Sequence, residues 1–199
     1  AGFKPDWVWL KNRSAGDNHA LYDIARGVTK QLESNTGAAE STQTEGLTTF
    51  GSDGFTVGSL DQVNTNTENF ISWNWLASNS TSTTSPAGTI ASTSSVASAG
   101  HFSVGTYTGQ TDAGTVGHGL GGVAEMVIVW DKGFTNSIAV YHVGVASDAA
   151  TDYLLLSQAD GATDDATFWN DTTPTSSVFS VGTGNNTNGN GRAKSFQAF

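Results

Sequence analysis

The 199-residue chain contains no cysteine. That absence excludes a disulfide framework, a thiolate metal site and a cysteine nucleophile. Cations are scarce as well: Lys and Arg number 8 against 18 Asp and Glu, for a formal net charge of −10. Such a balance argues against nucleic acid as a partner, because phosphate neutralisation needs clustered Lys and Arg. It argues equally against docking on anionic lipid headgroups. Charged residues make up only 13% of the chain, about half the usual share. No apolar run approaches the roughly 20 residues of a membrane-spanning helix, so no membrane insertion is expected. Gly, Ser, Thr and Asn fill the space that Lys and Glu leave, which is poor helix material and good strand-and-turn material.

What the chain does have is an imperfect internal repeat. Trp7-Val8-Trp9-Leu10 is answered by Met126-Val127-Ile128-Val129, and Ala20-Leu21-Tyr22-Asp23 by Ala139-Val140-Tyr141-His142. Gly54-Phe55-Thr56-Val57-Gly58 is answered by Val178-Phe179-Ser180-Val181-Gly182. Phe70-Ile71-Ser72-Trp73 is answered, less well, by Ala193-Lys194-Ser195-Phe196. The order is kept and the spacing drifts only by loop-sized insertions, as a duplicated module requires.

Period-2 alternation and turn residues predict an all-β chain, a β-sandwich built from two related halves. Residues 1–77 form the first half, residues 78–88 a Ser/Thr-rich linker, and residues 89–199 the second half. Strands are expected at Trp7–Lys11, Ala20–Ile24 and Asn69–Leu76, with a hairpin turning at Asp53-Gly54. In the second half they are expected at His101–Thr108, Ala124–Trp130, Ser137–Val145, Thr167–Trp169, Ser177–Val181 and Arg192–Phe199. Each half is too small to be stable alone. The halves are therefore expected to pack together, with Trp7, Trp9, Trp73 and Trp75 buried near Val127, Val129 and Phe196. The strand His101–Thr108 has no counterpart before Trp7. Either the chain is cut from a longer array, or a neighbouring subunit supplies that strand.

Several residues invite a chemical reading. His118, between Gly117 and Gly119, has the residue type of a metal ligand or general base, but no second His or nucleophile motif accompanies it, and a turn residue is the simpler reading. His19, His101 and His142 lie on different segments. The acidic tract around Asp160, Asp164 and Asp165 offers the hard oxygens that Ca²⁺ prefers, without the ordered spacing of a calcium loop; a solvated acidic loop is the rival reading. Paired glycosidase carboxylates would need to face each other across a groove, whereas these lie in turn-like sequence. Of the six tryptophans, Trp130 and Trp169 sit at strand ends beside Asp131 and Asn170. They are the expected ligand-contact rings, because an exposed aromatic face suits the C–H surface of a sugar.

Longer strings carry a family resemblance. Pro-Asp-Trp-Val-Trp-Leu-Lys-Asn-Arg, His-Ala-Leu-Tyr-Asp-Ile-Ala-Arg-Gly-Val-Thr-Lys, Ser-Asp-Gly-Phe-Thr-Val-Gly and Ile-Ser-Trp-Asn-Trp follow one another in the first half. Gly-Thr-Val-Gly-His-Gly-Leu-Gly, Met-Val-Ile-Val, Val-Tyr-His, Ala-Thr-Phe-Trp-Asn-Asp and Val-Phe-Ser-Val-Gly follow in the second. Together they resemble a module of marine phage structural proteins, similar to jelly-roll or lectin-like sandwiches of the concanavalin A or laminin-G type. Trp130 stands where that family tends to have Lys. Ser72-Trp73-Asn74-Trp75 and Ser195-Phe196-Gln197 stand where it tends to have aromatic-Cys-aromatic. The resemblance implies a non-enzymatic virion structural protein, a tail fibre or appendage module located in the virion or extracellularly. Its partners would be other copies of itself or other virion proteins, and a host-surface glycan. A capsid-decorating or filament-forming subunit and a carbohydrate-binding or polysaccharide-hydrolysing domain are the alternatives. The resemblance supplies no site residues and no cofactor; Ca²⁺ enters only through the acidic tract.

Overall fold

A computed structural model describes residues 1–80, 82–85, 87–145 and 148–199. The fold is all-β, 38% strand and 4% helix, with antiparallel sheets stacked as a sandwich. Strands β1 (Trp7–Asn12), β2 (Ala20–Asp23), β3 (Lys30–Gln31), β4 (Ser41–Thr42), β5 (Leu47–Gly51) and β6 (Gly54–Val57) are followed by a short helix α1 (Asp61–Asn64) and by β7 (Phe70–Trp75). Then come β8 (Ser82–Ser85), β9 (Ser92–Val96), β10 (Ser103–Thr108), β11 (Gly114–Gly117), β12 (Met126–Asp131) and β13 (Ala139–His142). β14 (Asp152–Leu155), β15 (Thr163–Asp164), helix α2 (Ala166–Trp169), β16 (Val178–Val181) and β17 (Ala193–Ala198) close the chain. The stretch expected as a linker, residues 78–88, carries β8 in its middle. The expected strand Thr167–Trp169 is instead helix α2, started by Asp165, whose carboxylate accepts from the Thr167 N–H.

The two main sheets repeat one pattern. The first has the order β2-β1-β7, and the second, eight-stranded, contains β13-β12-β17. Trp7 lies opposite Asp23 and Leu10 opposite Ala20; Met126 lies opposite His142 and Val129 opposite Ala139. These registers match the sequence repeat residue for residue. The closing strands match too, but one residue away from the sequence alignment. Val8 pairs with Asn74 and Val127 with Ala198, so Ser72 occupies the place of Phe196, and Trp73 that of Gln197. A one-residue slip in a strand moves a side chain to the other face. Phe196 is accordingly buried on one face of its sheet, while Trp73 is 42% exposed on the opposite face of its own.

Alternation then sorts the core into three slabs. Val8, Leu10, Ala20 and Tyr22 of the first sheet pack under the β5–β6 hairpin and α1, against Leu47 and Val63. Their equivalents Val127, Val129, Ala139 and Tyr141 pack under the β11–β16 pair and α2, against Val116, Phe179 and Trp169. The remaining faces meet each other. Trp7, Leu21 and Leu32 of the first half close on Phe102, Ile128, Trp130 and Val140 of the second. The halves thus share one core, contributed by equivalent faces. Trp7 packs on Phe102 and Phe199, not near Val127, Val129 or Phe196 as the sequence suggested, because those three side chains point to the far side of the second sheet.

Polar contacts seal the same junction. The Glu40 N–H donates to the Lys132 carbonyl at 2.9 Å, and the Asn136 N–H to the Gly37 carbonyl at 3.0 Å. Gly37 has φ +66, and a Cβ there would lie 2.5 Å from the Asn136 carbonyl oxygen. Only glycine fits both demands. The carboxylate of Asp6, fully buried, accepts from the Ala77 N–H at 2.8 Å and from the Ser95 hydroxyl at 3.0 Å.

Candidate functional site

The two tryptophans expected to be exposed are not. Trp130 is 1% and Trp169 2% accessible. Trp130, next to last in β12, faces the shared core, and Trp169 ends α2 with its ring edge-on to Tyr141 at 6.0 Å. Strand-end position suggested exposure, but both ends are roofed by neighbouring layers.

The acidic residues lie apart from any built site. Asp160 and Asp164 are exposed, and Asp165 is spent on capping α2. Among the described residues no group of three or more His, Asp or Glu gathers to hold a metal ion. His118 is fully buried: its Nδ1 accepts from the Leu120 N–H at 3.1 Å, and its Nε2 lies 3.1 Å from the Thr175 carbonyl. A carbonyl only accepts, so Nε2 carries the proton. Burial holds the pKa below its ordinary value against the opposing pull of the Thr175 bond. His118 is thus a neutral brace for the turn after β11, with neither nitrogen free for chemistry.

One buried polar cluster has the composition of an active site. Asp131 sits at the end of β12; its Oδ2 accepts from Lys194 Nζ and Arg192 at 2.9 Å each and from the Asn136 amide at 2.9 Å. Its Oδ1 accepts from the N–H groups of Gly133 and Phe134. Burial alone would raise the Asp131 carboxyl, but the hydrogen bonds from Lys194 and Arg192 hold it below its ordinary value. The repeat identifies what the cluster does. Asn12 occupies the equivalent place in β1, and its Oδ1 accepts from the N–H groups of Ser14 and Ala15. The Asn12 amide donates to Asp17 and Glu68, which stand where Asn136 and Arg192 stand in the second half. The geometry is kept while donor and acceptor are exchanged at all three positions. Both clusters hold the loop after their strand, while Lys194 has no counterpart, Phe70 standing in its place.

An open apolar surface lies on the first sheet. Trp9, Trp73 and Trp75 line a pocket of about 250 Å³. Trp9 and Trp73 are cross-strand partners on β1 and β7, their rings edge-on at 6.0 Å. Trp75 stacks obliquely on Trp7 at 4.1 Å, which ties the pocket to the shared core. The Trp9 indole N–H donates to His19 Nδ1 at 2.7 Å. Burial, with the charge of Lys11 second, lowers the His19 pKa, which favours the neutral acceptor that this bond requires. Ile71, at 37%, continues the apolar surface along β7, and Leu76, at 40%, is exposed just past its end. Sequence reasoning assigned these rings to the core because same-face aromatic pairs usually are core. The missing counterpart of His101–Thr108 was the signal that β7 would stand at an edge.

Fold and surface together define a duplicated β-sandwich with one uncovered aromatic edge. The chain belongs to the DUF7483 family, described as a domain of unknown function, whose model matches residues 1–196. No curated protein and no solved structure matches the chain.

Proposed function

We propose that the chain is a non-enzymatic structural module of a virion appendage such as a phage tail fibre, acting outside the cell. It joins copies of itself or other virion proteins. The observation that carries this reading is the uneven completion of the two halves. In the second half the sheet continues past β17 into β10, β9 and β8; in the first it stops at β7 with Trp73 uncovered and Trp75 only partly buried. A building block with one apolar face left open is suited to assembly. The resemblance of the sequence to phage structural modules supports the same reading, and the loop-holding role of the Asp131 cluster fits a chain without turnover chemistry.

Glycan adhesion is a second role favoured by the pocket, since three indole rings offer a stacking surface of pyranose size. On a glycan array, the wild-type chain is expected to bind at least one host-surface polysaccharide. Trp9→Ala should weaken that binding roughly tenfold or more, with no release of reducing ends in either case. A uniformly negative array would leave only the assembly role, as in a capsid-decorating or filament-forming subunit. Hydrolysis of a polysaccharide, lost on removing one carboxylate, would overturn the non-enzymatic reading.

A further inference from the structure

We infer that the free edge of β7 pairs with β7 of a second copy of this chain, joining two three-stranded sheets into one. Hydrogen-bond direction decides which backbone groups of β7 are free. The Arg13 N–H donates to the Asn69 carbonyl at 2.8 Å, and Lys11, Trp9 and Trp7 face Ile71, Trp73 and Trp75. Antiparallel alternation then turns the odd-numbered residues of β7 toward β1 and leaves the N–H and C=O groups of Phe70, Ser72 and Asn74 pointing outward. The second half shows what such an edge takes. Met126 and Phe199 exchange both bonds, so Lys194, Phe196 and Ala198 turn the other way. There they meet Tyr107, Gly105 and Ser103 of β10. β10 also lays Val104 beside Gln197, the equivalent of Trp73, and the preceding Phe102 packs on Phe199, the equivalent of Trp75.

The partner for β7 must therefore be an antiparallel strand with apolar side chains at alternate positions on the tryptophan side. β7 itself, Phe-Ile-Ser-Trp-Asn-Trp, meets that description, with Ile71, Trp73 and Trp75 on that face. It carries no charge, so two copies can approach along it despite a net charge of −10 each. It also has no proline and no bulge, the devices that normally blunt an edge. Among the described residues the other edge strands of the two main sheets do not compete: β2 is bridged by Leu32, with the Leu21 N–H donating to the Leu32 carbonyl at 2.9 Å, β8 reads Ser-Thr-Thr-Ser, and β15 is the pair Thr163–Asp164. Three of the eight exposed large apolar side chains among the described residues, Ile71, Trp73 and Leu76, lie on β7 or at its end.

This inference rests on the assembly reading only in expecting a partner at all, and it is tested on the purified chain away from any particle. Sedimentation equilibrium over a concentration series should show a monomer–dimer equilibrium. Amide exchange at Phe70, Ser72 and Asn74 should slow as concentration rises, while that at Trp73 stays constant. Ser72→Pro removes the central outward donor without touching a bond to β1, and should raise the dimer dissociation constant at least about tenfold. Trp73→Lys, at a position 42% exposed, should do the same and decides the matter should the proline variant fail to fold. A chain that stays monomeric at every concentration would overturn the inference. So would a dimer that both substitutions leave intact, or edge amides protected only when a different protein is added. Finding the chain elsewhere than on a particle would remove the assembly reading while leaving a measured β7 dimer standing.

Discussion

Asp131→Ala is expected to destabilise the chain by about 3–5 kcal/mol, because it strips a buried ammonium of its counter-charge. Both the Asp131 and Lys194 side chains are 0% accessible, and Nζ lies 2.9 Å from the carboxylate. With the carboxylate gone, Lys194 keeps only the carbonyls of Asn185 and Asn186, and the N–H groups of Gly133 and Phe134 lose their acceptor. Urea denaturation at pH 7 measures the loss as a fall in midpoint at constant slope. A change below about 1 kcal/mol, the scale of an exposed pair, would show that the pair is not buried in solution. The pH dependence has a definite sign. A carboxyl held below its ordinary value of 3.8 contributes fully above that pH, and its contribution is lost as pH falls through the lower folded value. The first half also suggests a rescue. Asn12 donates to Asp17 there, so Asp131→Asn combined with Asn136→Asp moves the charge by one side chain without removing it. The double variant should recover at least about 1 kcal/mol of the loss caused by Asp131→Asn alone.

Trp7→Ala should cost about 3–5 kcal/mol, the range for truncating a fully buried large aromatic. Trp7 is 1% accessible and touches Trp75 of its own half and Phe102 and Phe199 of the other. The cavity therefore opens in the core that the halves share, and neither half can escape it. Scanning calorimetry should show one transition before and after the substitution, with calorimetric and van't Hoff enthalpies equal. Two transitions, of which only the first half's moves, would mean that the halves fold as separate units.

Duplication was legible because strand residues repeat as short apolar words with fixed neighbours. Trp7–Leu10 and Met126–Val129 align without gaps, and their partners Tyr22 and Tyr141 lie in matching register. The closing strands were misaligned by one because Phe70–Trp73 and Ala193–Phe196 share almost no residue types, so only the backbone pairing fixes their phase. Trp73 is expected in the core for a separate reason, its same-face pairing with Trp75, whereas the structure leaves it 42% exposed on an edge strand. Trp130 and Trp169 failed for a different reason: strand-end position predicts exposure in one sheet, but this fold stacks further layers on both sides of it. Thr, Phe and Trp are all strand-prone and so predict a strand where α2 lies, but a cap contributed by Asp165 outweighs propensity over one turn. The exchange of Asn12, Asp17 and Glu68 for Asp131, Asn136 and Arg192 could not be read at all, since each set looks unremarkable without the geometry that superposes them.

The claim that this chain is a structural part of a virion appendage is tested most directly by locating it on intact particles. Antibody raised against the purified chain and coupled to gold should decorate the tails or fibres of negatively stained particles, at regular positions and in every particle. Label confined to host cytoplasm, with clean particles, would contradict it.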